Sequence, residues 1–298
     1  MTNLPSDILG EARYLIYKFE LTGFDFKNID QGQFFTLNYE KKRYRQNELV
    51  NILFSVLPYF ALTEIEFLDY SERLKSPNFF TKKAIKRIVK PGNKAGDYGE
   101  VILFIILELF YQSKKLVTKV LYKTSAGLPV FGADAVHFTA ESDGSITLWF
   151  GEAKFYKDFS HAVAAAFVSV DNFLKTKLEG EVELLVPSKI EINKKTDPAL
   201  HRTVIDLIEN DISLDDLQIK IPILLTYELE DLKNYDDIKS SLFIEKLNKE
   251  CEMRFKLLQS KNWQKYYRNV SFVFFLLPIQ DMKALKDLIR VKDDGIRI

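Results

Sequence analysis

The stretch from Ile146 to Tyr156 reads Ile-Thr-Leu-Trp-Phe-Gly-Glu-Ala-Lys-Phe-Tyr. It is almost entirely apolar up to Glu152, which is typical of a strand that is covered on both faces. Residues two apart in a strand share a face, so Glu152 and Lys154 project to one side and Trp149 to the other, where it belongs to the core. Charges at the end of a buried strand are costly unless they have a partner or a purpose. The stretch therefore predicts a buried strand that ends in a functional site.

A second carboxylate precedes this strand. Asp134 stands in Gly-Ala-Asp-Ala-Val-His-Phe, within an apolar run from Val130 to Thr139, and Ser-Asp-Gly-Ser at 142–145 separates that run from the strand. This turn sequence is a hairpin signal, so the two runs are predicted to pair as antiparallel strands. Asp134, Glu152 and Lys154 would then converge. Carboxylate oxygens suit Mg²⁺ or Mn²⁺, and a lysine beside the metal can hold a phosphate or help to activate a water.

Glu100 is a third acidic candidate. It ends Gly-Asp-Tyr-Gly-Glu at 96–100, and the apolar run from Val101 to Tyr111 that follows predicts a buried helix. Asp97 and Glu100 fit a variant of the capping box, which would give Glu100 a structural role. Alternatively, Glu100 leans from the first helical turn toward a metal held by Asp134 and Glu152. The two interpretations are compatible.

Composition describes an ordinary globular protein. The chain has 298 residues, of which 47% are hydrophobic and 28% charged, and its formal net charge is zero. A global attraction to nucleic acid is therefore not expected, and contacts with DNA would have to come from local basic clusters. Two such clusters lie at 82–90 and 41–45. Clusters of this kind are more often plain solvated surface.

Several kinds of site and location are disfavoured. Cys251 is the one cysteine, so neither an internal disulfide nor a thiolate zinc cluster is expected, and the three histidines are not spaced as metal pairs. The N-terminus lacks the basic and apolar regions of a signal peptide. No apolar stretch approaches the ~20 residues that cross a bilayer. A cytoplasmic protein without membrane association is predicted.

The pattern along the chain predicts an α/β fold. Pro-Gly-Asn-Lys at 91–94 is a strong break, which divides the sequence into an N-terminal α+β extension (1–92), a possible partner-docking region, and a second domain (93–298). The predicted elements are a strand at 12–21, a helix at 47–59, a helix or strand at 63–74, a helix from 97, strands at 116–123, 130–139 and 146–155, a helix at 159–178, strands at 182–186 and 220–228, a helix at 236–260, a strand at 269–277 and a helix at 282–289. From Asp97 the order is helix, three meandering strands, helix, strand. This is the core order of the PD-(D/E)xK nuclease fold, a mixed sheet flanked by helices as in restriction endonucleases.

The motifs at 96–100, 132–138 and 149–156 together resemble the HamA family, the nuclease subunits of the Hachiman antiphage defence system. The resemblance is strong in the central third and limited to length and general character elsewhere. It implies a bacterial DNase that a partner helicase, HamB, holds in check. Carried over by position, the catalytic set is Glu100, Asp134, Glu152 and Lys154. The implied Mg²⁺ or Mn²⁺ ligands are Asp134, Glu152, Glu100 and the carbonyl of Ala153.

The chain has no Gly-x-x-x-x-Gly-Lys-Ser/Thr pattern, so another chain is expected to supply any ATP-driven step. Ser160 and His161, at the start of the helix after Lys154, could reach a phosphate, although a serine there is more often a cap. Tyr98 could stack on a base, although core packing is the more common role. Two rival functions stay open: a nuclease fold that serves only as a scaffold or DNA-binding module, and a stand-alone restriction-like enzyme.

Overall fold

The computed structural model describes residues 4–19, 30–73, 76–88, 96–118, 133–140, 146–183, 202, 205 and 217–297. The helices in these residues are α1 (Ser6–Leu15), α2 (Gln46–Ala61), α3 (Glu64–Glu72), α4 (Pro77–Ile85), α5 (Gly96–Tyr111), α6 (Phe159–Thr176), α7 (Leu178–Glu183), α8 (Ser241–Gln259) and α9 (Met282–Arg297), with a 3-10 turn at Glu230–Asn234. The strands are β1 (Ile16–Phe19), β2 (Gln31–Leu37), β3 (Tyr39–Glu40), β4 (Arg43–Tyr44), β5 (Lys114–Thr118), β6 (Ala135–Ala140), β7 (Ile146–Phe155), β8 (Gln218–Glu228) and β9 (Val270–Ile279).

One mixed sheet of seven strands organises the molecule, in the order β1-β2-β9-β8-β7-β6-β5, and β3 and β4 form a separate ribbon. The four strands β2, β9, β8 and β7 run parallel, whereas β1 at one edge and β6 and β5 at the other are antiparallel to their neighbours. The predicted mixed sheet flanked by helices is confirmed, as is the antiparallel pairing of β6 with β7. The predicted turn at 142–145 lies outside the described residues.

Helices cover both faces of β7. On one face α5 packs very closely: a Cβ added to Gly99 would lie 3.1 Å from the Cβ of Phe155, and one added to Gly151 would lie 2.9 Å from Cδ2 of Leu103. Glycine is therefore needed at both positions for α5 to approach the strand. On the other face the Phe150 ring lies 5.6 Å from the Phe173 ring of α6. The strand is buried on both faces, as its apolar sequence predicts.

The N-terminal segment belongs to the same sheet and core. β2 pairs with β9, and the Phe35 ring contacts Phe110 of α5 and Phe275 of β9. Lys115 of β5 is 6% exposed, and its ammonium donates to backbone carbonyls at the end of α2, those of Tyr59 and Leu62 among them. The predicted boundary near residue 92 thus does not separate two independent cores.

Two element predictions need correction. Ser6–Leu15 is helical where a strand was predicted from residue 12, because Ile8, Leu9, Ala12 and Leu15 pack inward at helical spacing, and only Ile16–Phe19 is extended. Val182 and Glu183 belong to α7 rather than to a strand, and 184–186 lie outside the described residues. The strand that follows α6 and runs parallel to β7 is β8.

Other bounds shift by a few residues. α2 continues through Pro58 to Ala61, and α8 begins at Ser241, where the Ser240 hydroxyl accepts the Phe243 N–H at 3.3 Å. The segment predicted as helix or strand at 63–74 is helical over Glu64–Glu72. Within the described residues, no single helix has the length and apolarity to cross a bilayer; α2 and residues 65–72 pass such a test only as a pair bent by 103°.

Candidate active site

Asp134 immediately precedes β6 in the chain and lies beside the C-terminal part of β7. Its N–H donates to the carbonyl of Gly151 at 2.9 Å, and its Oδ2 accepts the N–H of Ala153 at 3.0 Å. The pairing of Ala135 with Gly151 places Asp134 opposite Glu152, and directly opposite residues share a face of the sheet. The structure therefore brings the two predicted carboxylates together.

Glu152 and Lys154 project from β7 toward α6. The Lys154 ammonium donates to Oε1 of Glu152, and the Ser169 hydroxyl of α6 donates to the same carboxylate. The side chains of Glu152 and Lys154 are 8% and 17% exposed. The predicted shared face is confirmed, as is the core position of Trp149, whose ring lies 5.2 Å from the Tyr111 ring at the end of α5.

Burial and charge act against the ionised form of Glu152. Burial raises its pKa to about 7, the negative charge of Asp134 adds to this effect, and Lys154 and Ser169 oppose it. Two carboxylates that face each other at a buried strand end repel, and a cation between them relieves that repulsion. The arrangement is thus one that can accommodate a cation beside the two carboxylates.

The backbone of Ala153 adds an oxygen on the same side. The Gly151 carbonyl points toward β6, since it accepts the Asp134 N–H, whereas the Lys154 carbonyl points toward β8, where it accepts the Thr226 hydroxyl at 3.3 Å. Successive carbonyls alternate along a strand, so the Ala153 carbonyl points toward Asp134. Two carboxylates and a carbonyl fit Mg²⁺, which typically binds one or two carboxylates and keeps several waters.

Glu100 has a different setting from the other candidates. It is 6% exposed on α5, the helix that covers the opposite face of β7 from Glu152. Among the described residues, no three His, Cys, Asp or Glu side chains form a group that could hold a metal ion together. Because α5 begins at Gly96, Asp97 lies inside the first turn and does not occupy the cap position that the capping-box interpretation needs. A role of Glu100 in metal binding or catalysis stays a prediction.

Tyr98 is a core residue, and the predicted alternative to base stacking is thus confirmed. It is 1% exposed, and its hydroxyl donates to Oδ2 of Asp293 in α9 at 2.8 Å. Asp158 caps α6 in place of Ser160, since its carboxylate accepts the His161 N–H at 2.7 Å.

The basic clusters lie outside β6, β7 and α6, the elements around the site. Lys82 and Lys83 are in the last turn of α4, and Lys41 and Lys42 form the turn between β3 and β4. Residues 89–90 lie outside the described part.

Two supporting residues were not anticipated from the sequence. Glu181 of α7 is 4% exposed, and both of its carboxylate oxygens accept the Ala133 N–H, at 3.2 and 3.3 Å, next to Asp134. Ser169 supports Glu152. The sequence offered one indication for Ser169, because its hydroxyl lies close to the face of α6 that buries Ala162, Ala166 and Val170. Glu181 carried no such signal, because its partner lies 48 residues away in the chain.

One of three comparisons with known proteins gave a match, and it identifies the family of the chain. Searches of curated proteins and of solved structures gave no match. A family model described as HamA matches residues 16–292, from the first strand of the sheet into α9. The match includes Glu100, Asp134, Glu152 and Lys154. It covers nearly the whole chain, and the protein therefore belongs to the HamA family and is a component of the Hachiman antiphage defence system.

Proposed function

We propose that this chain is a metal-dependent deoxyribonuclease, the DNA-cleaving effector of its defence system, with an active site of the PD-(D/E)xK type. The observation that carries the proposal is the convergence of Asp134, Glu152 and Lys154 at the end of β7. The order α5, β5-β6-β7, α6 and parallel β8 supports the same superfamily, since it is the order expected of that nuclease core.

Each residue has a distinct part in phosphodiester hydrolysis. Asp134 and Glu152, with the Ala153 carbonyl, would hold Mg²⁺ or Mn²⁺, which would supply Lewis-acid polarisation of the phosphate and a more acidic water. Lys154 orients the attacking water and offsets the charge that builds on the phosphate. Glu100 is proposed to assist, directly or through a water.

Lys154 has to change partner in this scheme. In the structure its ammonium is paired with Glu152. A divalent cation at Glu152 would weaken this ion pair, and the Lys154 ammonium would then be available to the phosphate.

We further propose that a HamB-like helicase delivers DNA and restrains the activity. Membership in a defence system implies partner proteins, the chain has no nucleotide-binding motif of its own, and its net charge of zero gives no global attraction to DNA. The N-terminal ninety residues and α8 are the proposed docking regions.

The direct test is cleavage of plasmid DNA by the purified chain, alone and with its helicase and ATP. Mg²⁺ or Mn²⁺ should support cleavage, whereas Ca²⁺ and EDTA should not, because Ca²⁺ accepts looser geometry than in-line attack requires. Undiminished cleavage in EDTA would point to a metal-free mechanism. Co-expression and size-exclusion chromatography test the partner: separate elution at micromolar concentration, with equal activity with and without helicase and ATP, would contradict gating.

A second candidate function is a nuclease-fold scaffold or DNA-binding module in the same complex. The observation that favours it is that the described residues lack a group of three potential metal-binding side chains. Retention of both carboxylates and the lysine argues for the enzyme. Metal-dependent cleavage separates the two, since a scaffold binds DNA without cutting it.

A further inference from the structure

Tyr156 extends the row of residues that forms the candidate active site. It follows Lys154 by two positions, and the Glu228 N–H donates to the Lys157 carbonyl at 2.8 Å, so the chain still runs beside β8 at this point. The Tyr156 side chain is 41% exposed. Within the described residues, its ring has no aromatic or cationic neighbour and its hydroxyl has no hydrogen-bond partner. The ring is thus an open aromatic surface two residues beyond Lys154 in the chain.

Tyr156 also lines a cleft of about 490 Å³ beyond the ends of β7 and β8. The other lining residues are Lys157, Asp158, His161, Glu228 and Glu230. Clefts outside the carboxyl ends of parallel strands are the usual place for a ligand in α/β folds.

The charges around the cleft restrict what can enter it. Glu228 is paired with Lys157 at 2.8 Å, and the carboxylates of Asp158 and Glu230, with side chains 58% and 69% exposed, line the same space. This excess of carboxylates repels a phosphate. The carboxylate oxygens can accept hydrogen bonds from amino and imino N–H groups, as Asp and Glu do when they bind the cytosine amino group. None of these carboxylates belongs to a group of three potential metal ligands in the described residues.

We infer that this cleft receives an unpaired nucleobase next to the scissile phosphate, stacked on Tyr156, with its N–H donors toward the carboxylates. The inference rests on the proposed nuclease function and names its substrate class, which is single-stranded or unpaired DNA. A paired base cannot enter the cleft, because its face is stacked and its Watson–Crick edge is occupied. The backbone phosphate lies at Lys154, and the flanking base enters the cleft.

The test is binding in Ca²⁺, which is expected to occupy oxygen sites without supporting cleavage, measured by fluorescence anisotropy of a short labelled oligonucleotide, single-stranded or as the duplex. Tyr156→Ala should weaken single-strand binding about 5- to 150-fold, the range for the loss of one stacked base. Tyr156→Phe should bind like the wild type, since stacking needs the ring alone. Tyr17→Ala is the matched control: Tyr17 is also 41% exposed but lies on β1, at the far side of the sheet. If the alanine variant unfolds, Tyr156→Gln removes the ring and keeps a long side chain.

The outcomes separate the inference from the proposed function. Wild-type preference for single strands, lost on removal of the Tyr156 ring and kept in Tyr17→Ala, supports the inference. Equal binding by the wild type and both ring-deleted variants, in a protein that cleaves DNA, overturns the base cleft and leaves the nuclease in place. A wild-type chain that neither binds nor cleaves DNA, with or without its partner, overturns both.

Discussion

At the scale of single residues, Glu152 lies where its own charge is disfavoured. Burial and the neighbouring Asp134 raise its pKa to about 7, against the opposing effects of Lys154 and Ser169. Such a carboxylate weakens the folded state whenever it is ionised without a cation, which is the usual cost of a preorganised site. The functional assignment of Glu152 thus has a consequence for stability that can be measured without any substrate.

Glu152→Gln should stabilise the metal-free protein at alkaline pH. The folded-state pKa of Glu152 lies above the ordinary glutamate value of 4.5, so the native state binds more protons than the unfolded state between about pH 4.5 and 7. Wild-type stability therefore falls as pH rises through that window. Thermal melts in EDTA should show the variant melting higher than wild type at pH 8, with the difference vanishing below pH 4.5. A wild type that is the more stable at pH 8 would contradict the electrostatic account.

Ser169→Ala should weaken metal binding. The Ser169 hydroxyl supports the ionised form of Glu152, and loss of such a partner of a metal ligand typically costs 10- to 100-fold in affinity, about 10-fold or more here. Calorimetric titration with Mn²⁺ measures this directly, and Ser169→Thr should restore affinity. Thr176→Val is the control on the same helix, because the Thr176 hydroxyl donates only to the Asn172 carbonyl in its own helix. Equal affinity in all four proteins would remove Ser169 from the site.

At the scale of elements, α7 fixes the segment that carries Asp134. Its Glu181 accepts the Ala133 N–H, while the Asp134 N–H and carboxylate bind the backbone of β7. The Asp134 segment is thus held from two sides, by a helix and by a strand.

Glu181→Ala should lower both stability and activity. It leaves a buried N–H without its acceptor, which costs roughly 1–3 kcal/mol, and it loosens Asp134. Glu181→Gln should be milder, since an amide oxygen still accepts the bond. The control is Glu179→Ala, an exposed acidic residue of the same helix. Chemical denaturation and plasmid cleavage measure the two effects, and a Glu181→Ala protein that matches the control in both would contradict the role of α7.

The strands of the site were predictable and several flanking elements were not, for physical reasons. The apolar run of β7 is typical of a strand that is buried on both faces. The two-residue period of a strand then predicts which face Glu152, Lys154 and Trp149 project from. In the short apolar run at 12–19, the spacing of apolar residues does not distinguish a helix from a strand. The burial of Ala12 and Leu15 against the core selects the helix up to Leu15. Glu181 at Ala133 and Ser169 at Glu152 are tertiary contacts, which no local pattern encodes.

At the scale of the whole molecule, the sheet unites the two halves of the sequence. β2, from the N-terminal segment, lies between β1 and β9, and β8 lies between β9 and β7, the strand that carries the site. Lys115 ties the end of α2 to β5. Removal of the first 92 residues therefore opens the sheet at β9 and exposes Phe275.

A chain of residues 93–298 should accordingly fail to fold cooperatively. Thermal unfolding followed by circular dichroism should show no sharp transition, or the fragment should be insoluble, because an unpaired, apolar β9 edge aggregates. The full chain is the reference. A soluble fragment with a sharp transition would restore the two-domain division.

The central claim is that the end of β7 is a metal-dependent catalytic site. The most direct test is the cleavage of supercoiled plasmid by Glu152→Ala and Lys154→Ala, measured with Mg²⁺, the helicase partner and ATP present. Both variants should keep the fold and lose ~10²-fold or more of the wild-type rate, since each loses a metal ligand or the cation that faces the phosphate. Val291→Ala, at an exposed position of α9 outside the site and the proposed docking regions, should cleave like the wild type. Near-wild-type cleavage by either site variant would contradict the claim.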